Sequence, residues 1–211
     1  MQNMNPYVDE LCARYPVLVT CREEIEKAID LLKGTFTGGG KLLLCGNGGS
    51  ASDAEHISGE LMKGFNLRRP ISQAEREKLA SIAGEDIGAF LQGALPAIPL
   101  TGQIALSTAV ANDNRGDMIF AQQVYGLGRP GDVLLGMSTS GNSANVIQAF
   151  HVAKLKGVST ILLTGSKGGK LAPIADIAIR VPADKVFQIQ ELHLPIYHAI
   201  CLALEAEFFP S

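Results

Sequence analysis

The chain has 211 residues, 46% of them hydrophobic, and a formal net charge of -3; at that length one α/β domain buries roughly 70% of its unfolded surface. The acidic balance argues against nucleic acid as a partner, because such binding draws on Lys and Arg neutralising phosphates. No run approaches the ~18 apolar residues of a membrane span. The cysteines Cys12, Cys21, Cys45 and Cys201 show neither CxxC nor zinc-ribbon spacing, and no basic-apolar leader precedes them. They read as reduced thiols of a cytoplasmic protein.

In chain order, residues 1–37 read as a helical N-terminal arm, with Pro16 opening a second helix after a break. With no strand of its own to cover, the arm is expected to pack on a neighbouring subunit rather than on the outside of the sheet. A first apolar strand, "KLLLC" (41–45), leads into the turn "GNGGSAS". Its glycine spacing is neither GxGxxG nor GxxxxGK[ST], so nucleotide binding loses its usual support. Asn47, Gly48, Gly49, Ser50 and Ser52 can still bring backbone amides and short polar groups against a hydroxylated ligand.

The helix that follows carries His56 and Glu60 at i and i+4, on one face and about 6 Å apart between Cβ atoms. Such a pair can share a divalent metal or transfer protons, although most His-x-x-x-Glu pairs are solvated neighbours. Residues 71–95 hold Ser72 and Glu75 in a capping-box arrangement, which predicts a helix there rather than loose loop. A second strand, "AIPLT" (97–101), precedes a helical stretch ending in Asn112 and Asp113. Those two could present an amide and a carboxylate to a ligand, or form an ordinary Asx turn.

The third strand, "DVLLGMS" (132–138), runs into a turn with hydroxyls at Ser138, Thr139, Ser140 and Ser143, ahead of a helix from about Asn142. Free N–H groups, the positive end of a helix dipole and four hydroxyls make a phosphate site that needs no lysine. The competing reading is a βα turn with an N-capping serine. Strands "STILLT" (159–164) and "IAIRV" (177–181) complete a five-stranded parallel sheet with helices on both faces, each strand continuously apolar. In such a sheet the two polar turns lie on one edge, beyond the carboxyl ends of the strands. They suit a phosphorylated, polyhydroxylated ligand held at both ends.

The last helix, 186–209, carries Gln190 and His198, separated by about 12 Å along the axis and about 80° around it. They reach one small ligand only near full extension, unless Pro195 bends the helix or another subunit completes the site. His193 and His151 read as core histidines hydrogen-bonded to backbone.

The set "CGNGGSASDAEHISGEL", "AND", "GDVLLGMSTSGNSANVIQAF", "LTGSKGGKLAPIADIAIRVP" and "IQELHLPIYHAI" resembles the sugar-isomerase (SIS) domain family, and within it the phosphoheptose isomerases, from about residue 5 to 209. The resemblance implies a single SIS domain over 1–211. It implies aldose-ketose isomerisation of sedoheptulose 7-phosphate to D-glycero-D-manno-heptose 7-phosphate through an enediol(ate), the first step of nucleotide-activated heptose biosynthesis. Carried over by position, Asn47, Gly48, Gly49, Asn112 and Asp113 bind substrate, and Ser138, Thr139, Ser140 and Ser143 bind its phosphate. Glu60 and His198 become base and acid; Glu60 and Gln190 also contact substrate; His56, Glu60, Gln190 and His198 become ligands of one Zn2+ per site. The resemblance further implies a homotetramer with active sites between subunits. Two features depart from the family's pattern: the 71–95 segment looks inserted, and Phe187 stands where a polar residue is expected. The rival readings are a non-catalytic SIS scaffold, similar to the replication-initiator-associating protein, and an isomerase or binder of another phosphosugar.

Overall fold

The five expected strands are present in the computed structural model, which describes residues 5–210; the first four residues of the arm and Ser211 lie outside the described residues. They are β1 (Leu42–Cys45), β2 (Ala97–Pro99), β3 (Val133–Met137), β4 (Ser159–Thr164) and β5 (Ile177–Arg180). All pair in parallel, in the order β2-β1-β3-β4-β5. Every residue of β1 and β3 is buried, which is why these runs show no polar alternation. Their side chains still alternate between faces. Leu42, Leu44, Leu135 and Leu163 enter one core layer, while Leu43, Cys45, Leu134 and Leu162 enter the other.

Four helices build the first layer: α1 (Pro6–Arg14), α2 (Arg22–Thr37), α3 (Gly49–Met62) and, at the other end of the chain, α8 (Val186–Phe208). Between these lie α4 (Gln73–Ala83) and α5 (Ile104–Asp113), which is largely exposed, followed by α6 (Ile119–Leu127) and α7 (Ala144–Leu155). The last two fill the second layer, with Phe120, Val124, Val146 and Phe150 against the sheet.

The N-terminal segment packs on the outside of this subunit's own sheet, the alternative to the favoured neighbour contact. Ile25, Ala28, Ile29 and Leu32 are buried with Val8 and Leu11 in this subunit's own first layer, and α2 packs on β5 and α8. Their i, i+3, i+4, i+7 spacing makes one apolar stripe, and the outer strand of the sheet needs a cover on that side. Pro16 opens a 3-10 helix, Pro16–Cys21, rather than an α-helix. A true α-helix begins only at Arg22.

Helix α4 begins with the full capping box: Ser72 Oγ accepts from Glu75 N, and the Glu75 carboxylate accepts from Ser72 N at 3.1 Å. None of its residues is buried. It packs on the short turn Ile87–Phe90, to which Arg76 Nε is tied through Asp86 at 2.8 Å. The unit joins the domain through the Pro70–Gln92 bridge and the bond from Gly93 N to Arg69 O. It leaves Ile82 and Phe90 in solvent.

The two histidines read as core residues part ways. His151 is exposed on α7, because its position falls on the helix face turned from the sheet. His193 is fully buried, yet neither ring nitrogen has a hydrogen-bond partner, and Thr164 Oγ1 on β4 is also without one. Burial lowers the His193 pKa to about 4, with the nearby Thr164 backbone opposing. A folded-state pKa below the unfolded one means that the unfolded chain takes up the proton first. Stability should therefore be full above about pH 6.5 and fall by about 3 kcal/mol towards pH 4. Denaturant titrations should show a flatter acid slope for His193→Asn; an unchanged slope would remove His193 as the cause.

Candidate active site

The crevice lies where the sheet order reverses. The helices after β1 and β3, α3 and α7, pack on opposite faces, so the chain parts between neighbouring strands and leaves an opening beyond their carboxyl ends. Both polar turns stand at that opening. Asn47 Nδ2 donates to Asn145 Oδ1 at 2.9 Å, and Asn145 Nδ2 returns a bond to Asn47 Oδ1 at 2.8 Å. Asn145 was not singled out from sequence, since its partner is 98 residues away.

Gly48 caps α3 with φ 56°, and no side chain bonds its first turn. In the second turn, Ser138 Oγ and Ser143 Oγ lie 2.9 Å apart, while Ser140 Oγ accepts from Asn142 N at 3.2 Å. Ser143 occupies the N-cap of α7 but makes no cap bond; Asn145 Oδ1 accepts from Val146 N at 3.0 Å, and the first two N–H groups of the helix are left for a ligand. Thr139 is half-buried; its carbonyl accepts from Gly165 N at 3.1 Å. Gly141, at φ 65°, rests against Gly168 and Gly169, and its carbonyl accepts from Leu171 N at 3.0 Å. The turn is thus braced from behind by the loop after β4.

Further along α3, His56 Nε2 faces Glu60 Oε1 at 3.2 Å. His56 Nδ1 lies 3.0 Å from Tyr197 OH, whose proton goes to Asp53 Oδ1 at 3.2 Å. With that proton committed, Nδ1 must be the donor, so neutral His56 presents a lone pair at Nε2. Asp53, one turn before His56, and Tyr197, next to His198, were not anticipated; both are visible only once α3 and α8 are placed together. Burial raises the pKa of Asp53, with Tyr197 and His56 opposing. Burial, then Asp53, raises that of Tyr197.

His198 completes the group. Its ring stands 5.1 Å from that of His56, 5.0 Å from Tyr197 and 5.4 Å from Phe65, and its buried Nε2 has no partner. Burial, then the neighbouring His56, lowers its pKa, while Glu60 opposes. The same ring borders a cavity of about 280 Å³ between α1 and α8 that includes Glu10, Arg14 and Pro195.

Gln190 lies elsewhere. A Cβ on Gly49 would come within 2.6 Å of Gln190 Nε2, so the amide sits on the first turn. Contacts Gly49 to Gln190 and His56 to His198 advance together along both helices. α3 and α8 therefore run side by side in one direction, and α8 continues as one helix through Pro195. Asn112 and Asp113 are exposed at the end of α5, bonded to each other at 2.8 Å.

The donors at His56, Glu60 and His198 suit a zinc ion: two imidazoles, one with its lone pair fixed by Tyr197 and one with an orphaned buried nitrogen, beside a carboxylate. Among the described residues, however, no three His, Cys, Asp or Glu side chains already surround one point as a cation site.

Known proteins resemble this chain in both sequence and fold. The SIS domain model matches residues 7–78 and 72–165. The phosphoheptose isomerase of Shewanella denitrificans is 39% identical over 192 residues, spanning 90% of this chain and 86% of that protein. Among solved structures, the phosphoheptose isomerase of Neisseria gonorrhoeae aligns with a TM-score of 0.69 at 34% identity, over 94% of this chain and 98% of that one. That of Francisella tularensis aligns with a TM-score of 0.72 at 32% identity, over 93% and 96%. The protein is a single-sheet α/β member of the SIS domain family and belongs, within it, to the phosphoheptose isomerases.

Proposed function

We propose that the protein interconverts sedoheptulose 7-phosphate and D-glycero-D-manno-heptose 7-phosphate, feeding nucleotide-activated heptose formation. The observation that carries this reading is the meeting of Glu60 on α3 with His198 on α8 beside the switch-point crevice. The phosphate binds at Ser138, Thr139, Ser140 and Ser143, where hydroxyls and the open end of α7 supply donors. The sugar chain lies along Asn47, Gly48, Gly49 and Gln190 towards the histidines. Glu60 takes the proton from C1 or C2 and returns it to the other carbon. His198, held neutral by burial, passes protons between the two oxygens as the cis-enediol(ate) forms and collapses. A zinc ion held by His56, Glu60 and His198 would act there as a Lewis acid on the carbonyl oxygen.

Assembly as a tetramer with sites between subunits is part of the same reading. It is supported by the exposed apolar residues Ile104 and Leu106 of α5, by the exposure of Asn112 and Asp113 at the end of that helix, and by the placement of Gln190 at Gly49, two turns before His56 on α3. A second copy would bring the first two, or another Gln190, to that site. Four free, buried cysteines support a reducing, cytoplasmic setting. No helix among the described residues is long and apolar enough to cross a membrane.

The test is incubation with sedoheptulose 7-phosphate, with and without a chelator. Aldose product is expected, with the rate falling after chelation and returning with added zinc. Absence of product sinks the reading in favour of a scaffold or another phosphosugar; insensitivity to chelation removes the metal alone.

A further inference from the structure

We propose that Arg69 and Glu205 are positioning residues that hold Glu60 and His198 in register across α3 and α8, a role that presupposes the isomerase reading of those two groups. Helix α3 ends at Met62, so the carbonyls of its last turn have no intrahelical partner. Arg69 reaches two of them: Nη2 donates to Glu60 O at 2.9 Å and Nη1 to Leu61 O at 2.8 Å, a carbonyl that also accepts from Leu95 N at 2.9 Å. The third donor, Nε, goes to Glu205 Oε1 at 2.8 Å, and the guanidinium lies over the Phe209 ring at 4.6 Å. Each of the three guanidinium nitrogens therefore has a partner.

Glu205 stands seven residues beyond His198 in α8, about two turns on, and so near the same face. Besides Arg69, its carboxylate accepts from Phe65 N and Asn66 N at 2.8 Å and from Leu67 N at 3.1 Å. That cradle sets the Phe65 ring 5.4 Å from His198. One carboxylate on α8 thus fixes the aromatic wall of His198 directly, and through Arg69 it fixes the backbone of Glu60.

Burial argues for this role. The two side chains are 0% and 1% exposed, and a buried ion pair is often no more stabilising than apolar side chains of similar volume. The pair's distinctive product is geometry: five further bonds, all to backbone, converge on the segment that carries Glu60 and Phe65. None of them touches the phosphate turn. Loss of the clamp should therefore affect the reaction more than binding.

Three full-length variants test this: Glu205→Gln, Arg69→Lys, and the apolar pair Arg69→Met/Glu205→Leu. Lysine keeps the charge but loses the fork. The apolar pair restores packing without the backbone bonds, so it is expected to melt within about 10 °C of the natural protein. In every variant that folds, kcat should fall about 10- to 100-fold, as for a displacement near 1 Å, while KM changes less than about threefold. The His198 ring-proton resonances, shifted by the Phe65 ring, should move towards solvent values in parallel. Folded variants with kcat within twofold of the natural protein and unmoved His198 resonances would overturn the proposal and leave the pair a purely structural role. If the natural protein shows no isomerisation, the functional reading fails by itself, and the resonances still decide whether the clamp orders His198. Arg69→Lys, the mildest change, covers failure of the other two to fold.

Discussion

Replacing Glu60 by glutamine should lower kcat by about a thousandfold, within the range that a positioned general base supplies, and leave phosphosugar binding nearly unchanged. The amide has the shape of the carboxylate, and its NH2 group, unlike the carboxylate, can donate to the His56 Nε2 lone pair, so the contact at 3.2 Å need not open. The Arg69 bond to Glu60 involves the main chain, so the helix end stays anchored. The loss falls on proton transfer at carbon and on the carboxylate's hold on any zinc ion, and neither touches the phosphate turn. Stopped assays of aldose product give kcat, and calorimetric titration with substrate gives the affinity; the outcome that sinks the assignment is near-normal turnover. His198→Asn should fall less steeply, because water can replace an acid working at oxygen more readily than a base working at carbon.

Gly141→Ala should raise KM by about 30-fold, the equivalent of about 2 kcal/mol, through strain and displacement of the phosphate turn. The residue holds φ 65°, where a β-carbon is unfavourable, and that carbon would run into the backbone of Gly168. Backbone cannot swing aside as a side chain does. The turn must therefore lift from the loop after β4, breaking the bond from Leu171 N to Gly141 O and misaligning Ser138, Ser140 and Ser143. Because Glu60 and His198 sit on other elements, kcat at saturation should change far less than KM. Equal losses in both, measured by steady-state kinetics, would contradict the division of labour between the two turns.

Much of this was legible in the chain. The central strands β1, β3 and β4 declare themselves because both faces are buried, and the helix after Ser72 because a capping box is a purely local device. The polar turns are equally local, since glycine and hydroxyl spacing sets them. What local pattern does not carry is the destination of a face. The stripe Ile25, Ala28, Ile29, Leu32 says that a helix must be covered, but not by what, and the cover is this subunit's own sheet. Likewise His151 and His193 occupy similar apolar surroundings in sequence; one is exposed on α7 and the other fully buried.

The candidate site divides in the same way. Residues joined by helix periodicity, His56 with Glu60, could be paired from spacing alone, because a 3.6-residue turn fixes i and i+4 on one face. Residues joined across the chain could not: Asn47 to Asn145, Tyr197 to Asp53, and Arg69 to Glu205, which are 136 residues apart. The sequence by itself determined the parallel sheet, the two polar turns and the nature of the polar side chains near them. Tertiary structure decided that His198 meets His56 and Glu60 while Gln190 meets Gly49. That choice depends on the parallel register of α3 against α8, which is set by core packing between distant segments and appears in no local period.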